Sequence, residues 1–137
     1  MEKNLIIYPT LLNVILVFLL YTKNTLDNRK AVKSKSLKMS YFKVYNGKVP
    51  DYVAVSRQTL KNQFELPMLF YFLISIILYF DQVFLIDLFF AWLFVISRYL
   101  HAYIRLSSNK IKHRSITFQI GFYTLLFWFL KFSYNIF

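Results

Sequence analysis

Four apolar segments constrain this chain more than anything else in it: residues 5–21, 66–80, 83–100 and 116–130, the last continuing Phe-rich to Phe137. A segment of about 20 apolar residues crosses the hydrocarbon core of a bilayer as a helix. There the backbone must satisfy its own polar groups, which leaves helices or closed barrels. The second segment is short for this, so its helix should begin upstream, among Lys61, Asn62 and Glu65. With 58% hydrophobic and 21% aromatic residues and only two glycines in 137, the composition is not that of a soluble domain. The expected fold is therefore all-α, an integral membrane four-helix bundle of up-down topology. Its spans should cover about 5–21, 62–80, 83–104 and 115–134, with 22–61 as a basic connection. The first segment lacks a small-residue cleavage site and has Glu2 beside Lys3, so it reads as a retained span rather than a removed signal peptide.

Basic residues orient the bundle. Of 17 Lys and Arg, ten lie between Thr22 and Gln63 and four between His101 and Arg114, leaving Lys3, Arg98 and Lys131. This asymmetry places both long connections in the cytoplasm, with the termini and a tight Phe80-Asp81-Gln82 turn on the other side. Topology and anionic lipid headgroups account for the net charge of +11, so it does not call for nucleic acid.

Cysteine is absent, which removes disulfides, thiolate metal sites and a protein-borne thiol nucleophile. Any thiol chemistry must use a thiol that arrives with a substrate. His101 and His113 lack HExxH spacing and a nearby carboxylate set, so no metal is expected. Haem ligation between them is disfavoured because His113 lies in a basic loop.

In the first connection, KNTLDNRKAVKSKSLK can prolong the first helix into the headgroup zone. SYFKVYNGKVPDYVAV reads either as a compact cap or short hairpin turning at Asn46-Gly47, or as a solvated linker.

Three polar islands border the apolar runs. In RQTLKNQFELPMLFY (57–71) a charged helical turn runs straight into an apolar one, with Asn62 and Glu65 three apart on one face. Glu65 can pair with Lys61 as an interfacial salt bridge of small value. Pro67 inside a continuing helix would free the Gln63 carbonyl, which favours a lined cavity. On the third segment Arg98, His101 and Arg105 share a face. Snorkelling explains Arg105 better than the deeper Arg98. Arg114-Ser115 opens the fourth segment. Asp87 and Asn13, in the outer half, are expected to hydrogen-bond between helices, Asp87 through Asn13.

The segments NQFELPMLFY, FVISRYLHAYIR and KHRSITF resemble the MAPEG family, the integral membrane glutathione transferases that include the microsomal prostaglandin E and leukotriene C synthases. Together with NRKAV after the first span they keep one ungapped register over nearly the whole chain. The likeness is greatest to uncharacterised bacterial members. It implies a single MAPEG-like domain over 1–137, a left-handed four-helix bundle. It also implies a homotrimer with glutathione bound between subunits near the cytoplasmic face. By this resemblance Lys61, Asn62, Glu65, Arg98, His101 and Arg105 stand at glutathione-binding positions. Arg114 stands where an Arg stabilises the thiolate, and Ser115 matches its neighbouring Ser. The implied activity is a glutathione-dependent transferase or peroxidase acting on a hydrophobic electrophile or lipid hydroperoxide.

The sequence departs from the family at three places. Phe118 and Arg105 each stand where a tyrosine is common. Leu26 stands where a basic residue of the first helix reaches across, with Lys23 or Arg29 as substitutes. These changes leave open another low-molecular-weight thiol, or a non-catalytic membrane protein that retains the fold.

Overall fold

The computed structural model describes residues 3–136, Lys3 by its backbone only. Glu2, the Lys3 side chain and Phe137, which entered the reading of the chain ends, lie outside the described residues.

A 3-10 turn, Lys3–Ile6, leads into α1 (Ile7–Lys33). α2 (Tyr41–Val44) and α3 (Asp51–Lys61) follow. A second 3-10 turn, Asn62–Phe64, joins α3 to α4 (Leu66–Tyr79). α5 (Leu85–Leu106) and α6 (Ile111–Ile136) complete the bundle. Four stretches are long and apolar enough to cross a membrane: Asn4–Lys33, Asp51–Tyr79, Leu85–Leu106 and Ile111–Ile136. No strand occurs among the described residues. The protein is thus an all-helical, multi-pass integral membrane protein.

α1 runs far past its apolar half because NTLDNRKAVK contains neither Gly nor Pro to stop it. Lys23 Nζ donates to both Asp27 oxygens, at 2.6 and 2.5 Å, one turn apart. Lys30 and Lys33 sit in the last turn, where the helix dipole favours cations. Beyond it Lys35 takes a left-handed conformation (φ 57°), and the Ala31 carbonyl accepts from the Ser36 and Leu37 N–H groups at 3.0 and 3.2 Å and from the Ser36 hydroxyl at 3.0 Å.

Of the cap or hairpin and the linker considered for SYFKVYNGKVPDYVAV, the structure shows no strand pairing: an irregular stretch, 45–50, containing Asn46-Gly47 joins α2 to α3. Pro50 precedes α3 in extended conformation, and Asp51 occupies its first turn, where an acid suits the dipole. Val53 then packs with Ala31, Leu37 and Tyr41. Arg57 donates to the Tyr41 hydroxyl and lies over the Tyr45 ring, 5.3 Å from its centroid. Apolar burial against α1 selects helix over strand for this segment.

The helix through 57–71 is not continuous, contrary to the sequence expectation. Glu65 has φ −102° and ψ −98°, which no helix accommodates. Pro67 therefore falls in the first turn of α4, where its missing N–H breaks no bond and its ring conformation suits helix initiation. The break separates Lys61 from Glu65, and they form no ion pair. α4 alone, 14 residues, covers roughly 21 Å at 1.5 Å per residue, and the stretch long enough to span, Asp51–Tyr79, includes α3 and the 3-10 turn as well.

The core lies between α4, α5 and α6. Phe70 and Phe94 stack with centroids 4.6 Å apart, and Phe90 stacks on Trp128 at 6.1 Å. A smaller cluster of Leu16, Leu20, Leu60 and Ala102 ties α1 and α3 to α5. Outward, Phe18, Phe72 and Tyr103 are each more than 60% exposed, an apolar belt suited to lipid.

At the end where α4 turns into α5, Asp81 is left-handed (φ 58°), giving the tight turn expected there. Asp87 is fully buried. It accepts from Phe84 N at 2.8 Å, from Trp128 Nε1 at 2.7 Å and from Lys131 Nζ at 2.8 Å. Its interhelical role is as expected, but its partner is α6 rather than Asn13. Asn13 Nδ2 instead donates to the Tyr71 hydroxyl at 2.9 Å.

Candidate functional site

The opposite, basic end brings together the other polar islands. Arg98 and His101 lie on the buried face of α5, 1% and 3% exposed. Arg98 Nη2 donates to the carbonyls of Thr117 and Phe118 on α6, at 3.1 and 3.3 Å. Its guanidinium also lies 5.3 Å from the ring centroids of Phe94 and Phe118. Carbonyl dipoles and ring faces thus stabilise this cation within the bundle. The approach depends on Gly121: a Cβ there would overlap Arg98 Nη2 and stand 2.7 Å from Ser97 Oγ.

His101 Nδ1 lies 3.1 Å from the Arg114 carbonyl. A carbonyl only accepts, so Nδ1 carries the proton. His101 thereby fixes the backbone at the residue whose side chain is of most interest. The Asn62 amide can stand with Nδ2 3.4 Å from His101 Nε2. With its oxygen and nitrogen exchanged it accepts from Arg105 Nη1 at 3.1 Å and donates to the Gln58 carbonyl at 3.3 Å. We prefer the exchanged orientation, because the other sets donor against donor and acceptor against acceptor. Arg105 Nη2 donates to Gln58 Oε1 at 2.6 Å, so α3 grips Arg105 through two neutral amides. Arg105 Nε is buried with no partner, as is Gln63 Oε1 beside the kink.

Arg114 is half-buried at the start of α6, and its Nη1 donates to Asn109 Oδ1 at 2.9 Å. Ser115, Lys61 and Glu65 are exposed. Gln119 Nε2 lies 3.5 Å from the Ser115 hydroxyl. The structure therefore joins Asn62 to Arg105 and His101 to the Arg114 carbonyl. It places Arg98 one layer deeper, and Lys61, Glu65 and Ser115 at the outer surface. Of the two substitutes considered on α1, Lys23 is engaged by Asp27, whereas Arg29 is exposed.

Among the described residues, none of Arg98, Arg105 and Arg114 has a carboxylate within 4 Å. Three guanidiniums at one end of a bundle, held only by neutral groups, leave net positive charge for an anion. Among the described residues no three His, Asp or Glu side chains cluster as metal ligands would. An apolar groove of about 330 Å³ runs between α4 and α6, lined by Leu66, Leu69, Phe72, Phe122 and Phe129 among others. Its Leu66 end adjoins Glu65 and the kink.

Sequence reasoning missed Gln58, Asn109, Thr117 and Gly121. Only Gly121 carried a signal. A glycine inside a helix costs about 1 kcal/mol relative to alanine, so one in an apolar span marks a close approach.

The model of the MAPEG family matches residues 5–134. The chain belongs to the MAPEG family. No curated protein and no solved structure matches it. Membership links this MAPEG chain to glutathione-related or eicosanoid metabolism.

Proposed function

We propose that this MAPEG protein is a membrane-embedded, glutathione-dependent transferase or peroxidase acting on a hydrophobic electrophile or lipid hydroperoxide. The observation that carries this reading is the set of guanidiniums without carboxylate partners at the basic end, Arg114 foremost. Bound there, glutathione would supply a sulfur nucleophile. A free thiol has a pKa of about 8.5, and a nearby cation favours its ionised form.

Arg114 holds the negative charge on sulfur, and Ser115 beside it offers a hydroxyl. Lys61 and Arg105 bind carboxylate, Glu65 binds ammonium, and Asn62 orients the peptide. His101 sets the position of Arg114 through its carbonyl. Arg98 braces the first turns of α6 and adds positive potential from beneath. The α4–α6 groove admits the apolar acceptor from the bilayer. The basic end faces the cytoplasm, and the termini face the other side. Lys61, Glu65 and Ser115 are open on a single chain, which suits a site completed by a neighbouring copy in a homotrimer.

Substituting Lys61→Ala, Glu65→Gln or Arg114→Ala tests this. Each is expected to lower glutathione-dependent turnover of a model electrophile, Arg114→Ala by about 10²–10³-fold. Oligomer size and thermal stability should stay as in the parent. Unchanged turnover in all three would overturn the roles given to these residues, and no glutathione-dependent turnover in the parent would leave a non-catalytic membrane protein of the same fold.

A further inference from the structure

The α5–α6 turn holds a residue whose type is more particular than its backbone requires. Asn109 is left-handed (φ 47°), and its N–H closes the end of α5 on the Ile104 carbonyl at 2.7 Å. Glycine fits such a position at least as well as asparagine. What asparagine adds is the amide oxygen, which accepts from Arg114 Nη1. An aspartate would hold the guanidinium more tightly, but would place a negative charge beside it and cancel the field it offers. The amide fixes the group and leaves its charge whole. It also engages only Nη1, so that the Nε and Nη2 edge, the side that can grip an anion with two parallel N–H groups, carries no hydrogen bond among the described residues.

We propose that Asn109 is a positioning residue for Arg114: it sets the orientation of the guanidinium without neutralising it, so that the free edge meets the anionic sulfur. This rests on the reading of Arg114 as the group that stabilises the thiolate. Its own content is that the orientation is built into the turn before any ligand binds. Asn109 itself touches neither sulfur nor acceptor.

The full-length protein in detergent, with arginine labelled in its side-chain nitrogens, tests this directly. The Arg114 signal is identified by its loss in Arg114→Lys. Rotation of its terminal nitrogens should be hindered in the parent and free in Asn109→Gly, a variant that keeps the left-handed turn. Free rotation in the parent would overturn the proposal.

A second readout follows the ultraviolet absorbance of the glutathione thiolate against pH. S-methylglutathione, which lacks the thiol, serves as the binding control. Asn109→Gly should bind S-methylglutathione within about twofold of the parent. Its thiolate midpoint should nonetheless rise by ~0.5–1 pH unit, or about three- to tenfold less thiolate well below the midpoint. Asn109→Asp should raise it further. A midpoint unchanged in Asn109→Gly would overturn the proposal. No thiolate in the parent, with rotation hindered there and freed in Asn109→Gly, would sink the thiol reading while upholding the positioning of Arg114.

Discussion

At the hairpin end of the bundle, the buried charge of Asp87 is met by the Lys131 ammonium, the Trp128 indole and a backbone N–H. At the basic end, Arg98, Arg105 and Arg114 are met by carbonyls, amides and ring faces, and among the described residues by no carboxylate within 4 Å, Glu65 acting on Arg105 only from farther off. Both ends place charge in an environment that resists it. The first arrangement is complete without a ligand and fastens α5 to α6. The second keeps an excess of positive charge that a closed structural lock would not need, which is why the proposed glutathione site is assigned to it.

The largest effect expected from breaking this contrast is at the compensated end. Asp87→Ala leaves the buried indole N–H and the Lys131 ammonium without their acceptor, and should cost about 3 kcal/mol. This is the low end for a broken buried pair, because Lys131 is 24% exposed and can turn outward. Denaturant unfolding in detergent micelles measures it, and a loss under ~1 kcal/mol would mean that charge compensation does not hold this end.

Gly121→Ala comes next, at about 1–3 kcal/mol, since its methyl must displace the Arg98 guanidinium. In a double-mutant cycle, adding Arg98→Met should recover part of that loss. Strict additivity would show that the close packing of α6 against Arg98 is not the cause. Smallest is Lys23→Ala. It removes a pair on the face of α1 that is 44% exposed at the lysine, and should change stability by only ~0.3–0.5 kcal/mol. A larger loss would make Lys23 part of the basic end's machinery rather than a prop for α1.

Much of the fold was legible because four apolar runs of near-spanning length leave few alternatives. The break at Glu65 was not, because a charged run followed by an apolar one looks the same whether the helix continues or restarts. Pro67 was read as interrupting a helix when it begins one. Asn46-Gly47 is a turn signal, yet Tyr41 before it and Val53 after it pack with Ala31 of α1 from two helices, and that tertiary gain prevailed.

At the site, residue types were legible and partners were not. Arg98 bonds to carbonyls of Thr117 and Phe118, groups that every residue owns and no sequence marks. Asn109 and Gln58 are unremarkable polar residues until the fold sets them against Arg114 and Arg105. Asp87 was recognised as an interhelical bond, and its partner lay on a helix 41 residues away in sequence.

The central claim is that Arg114, charged and with no carboxylate partner among the described residues, stabilises a thiolate. Its most direct test adds glutathione to the detergent-purified protein at neutral pH and records thiolate ultraviolet absorbance beside Arg114→Ala. The account predicts a rise in the parent and none in the variant. An equal rise in both, or no rise in either, would contradict it.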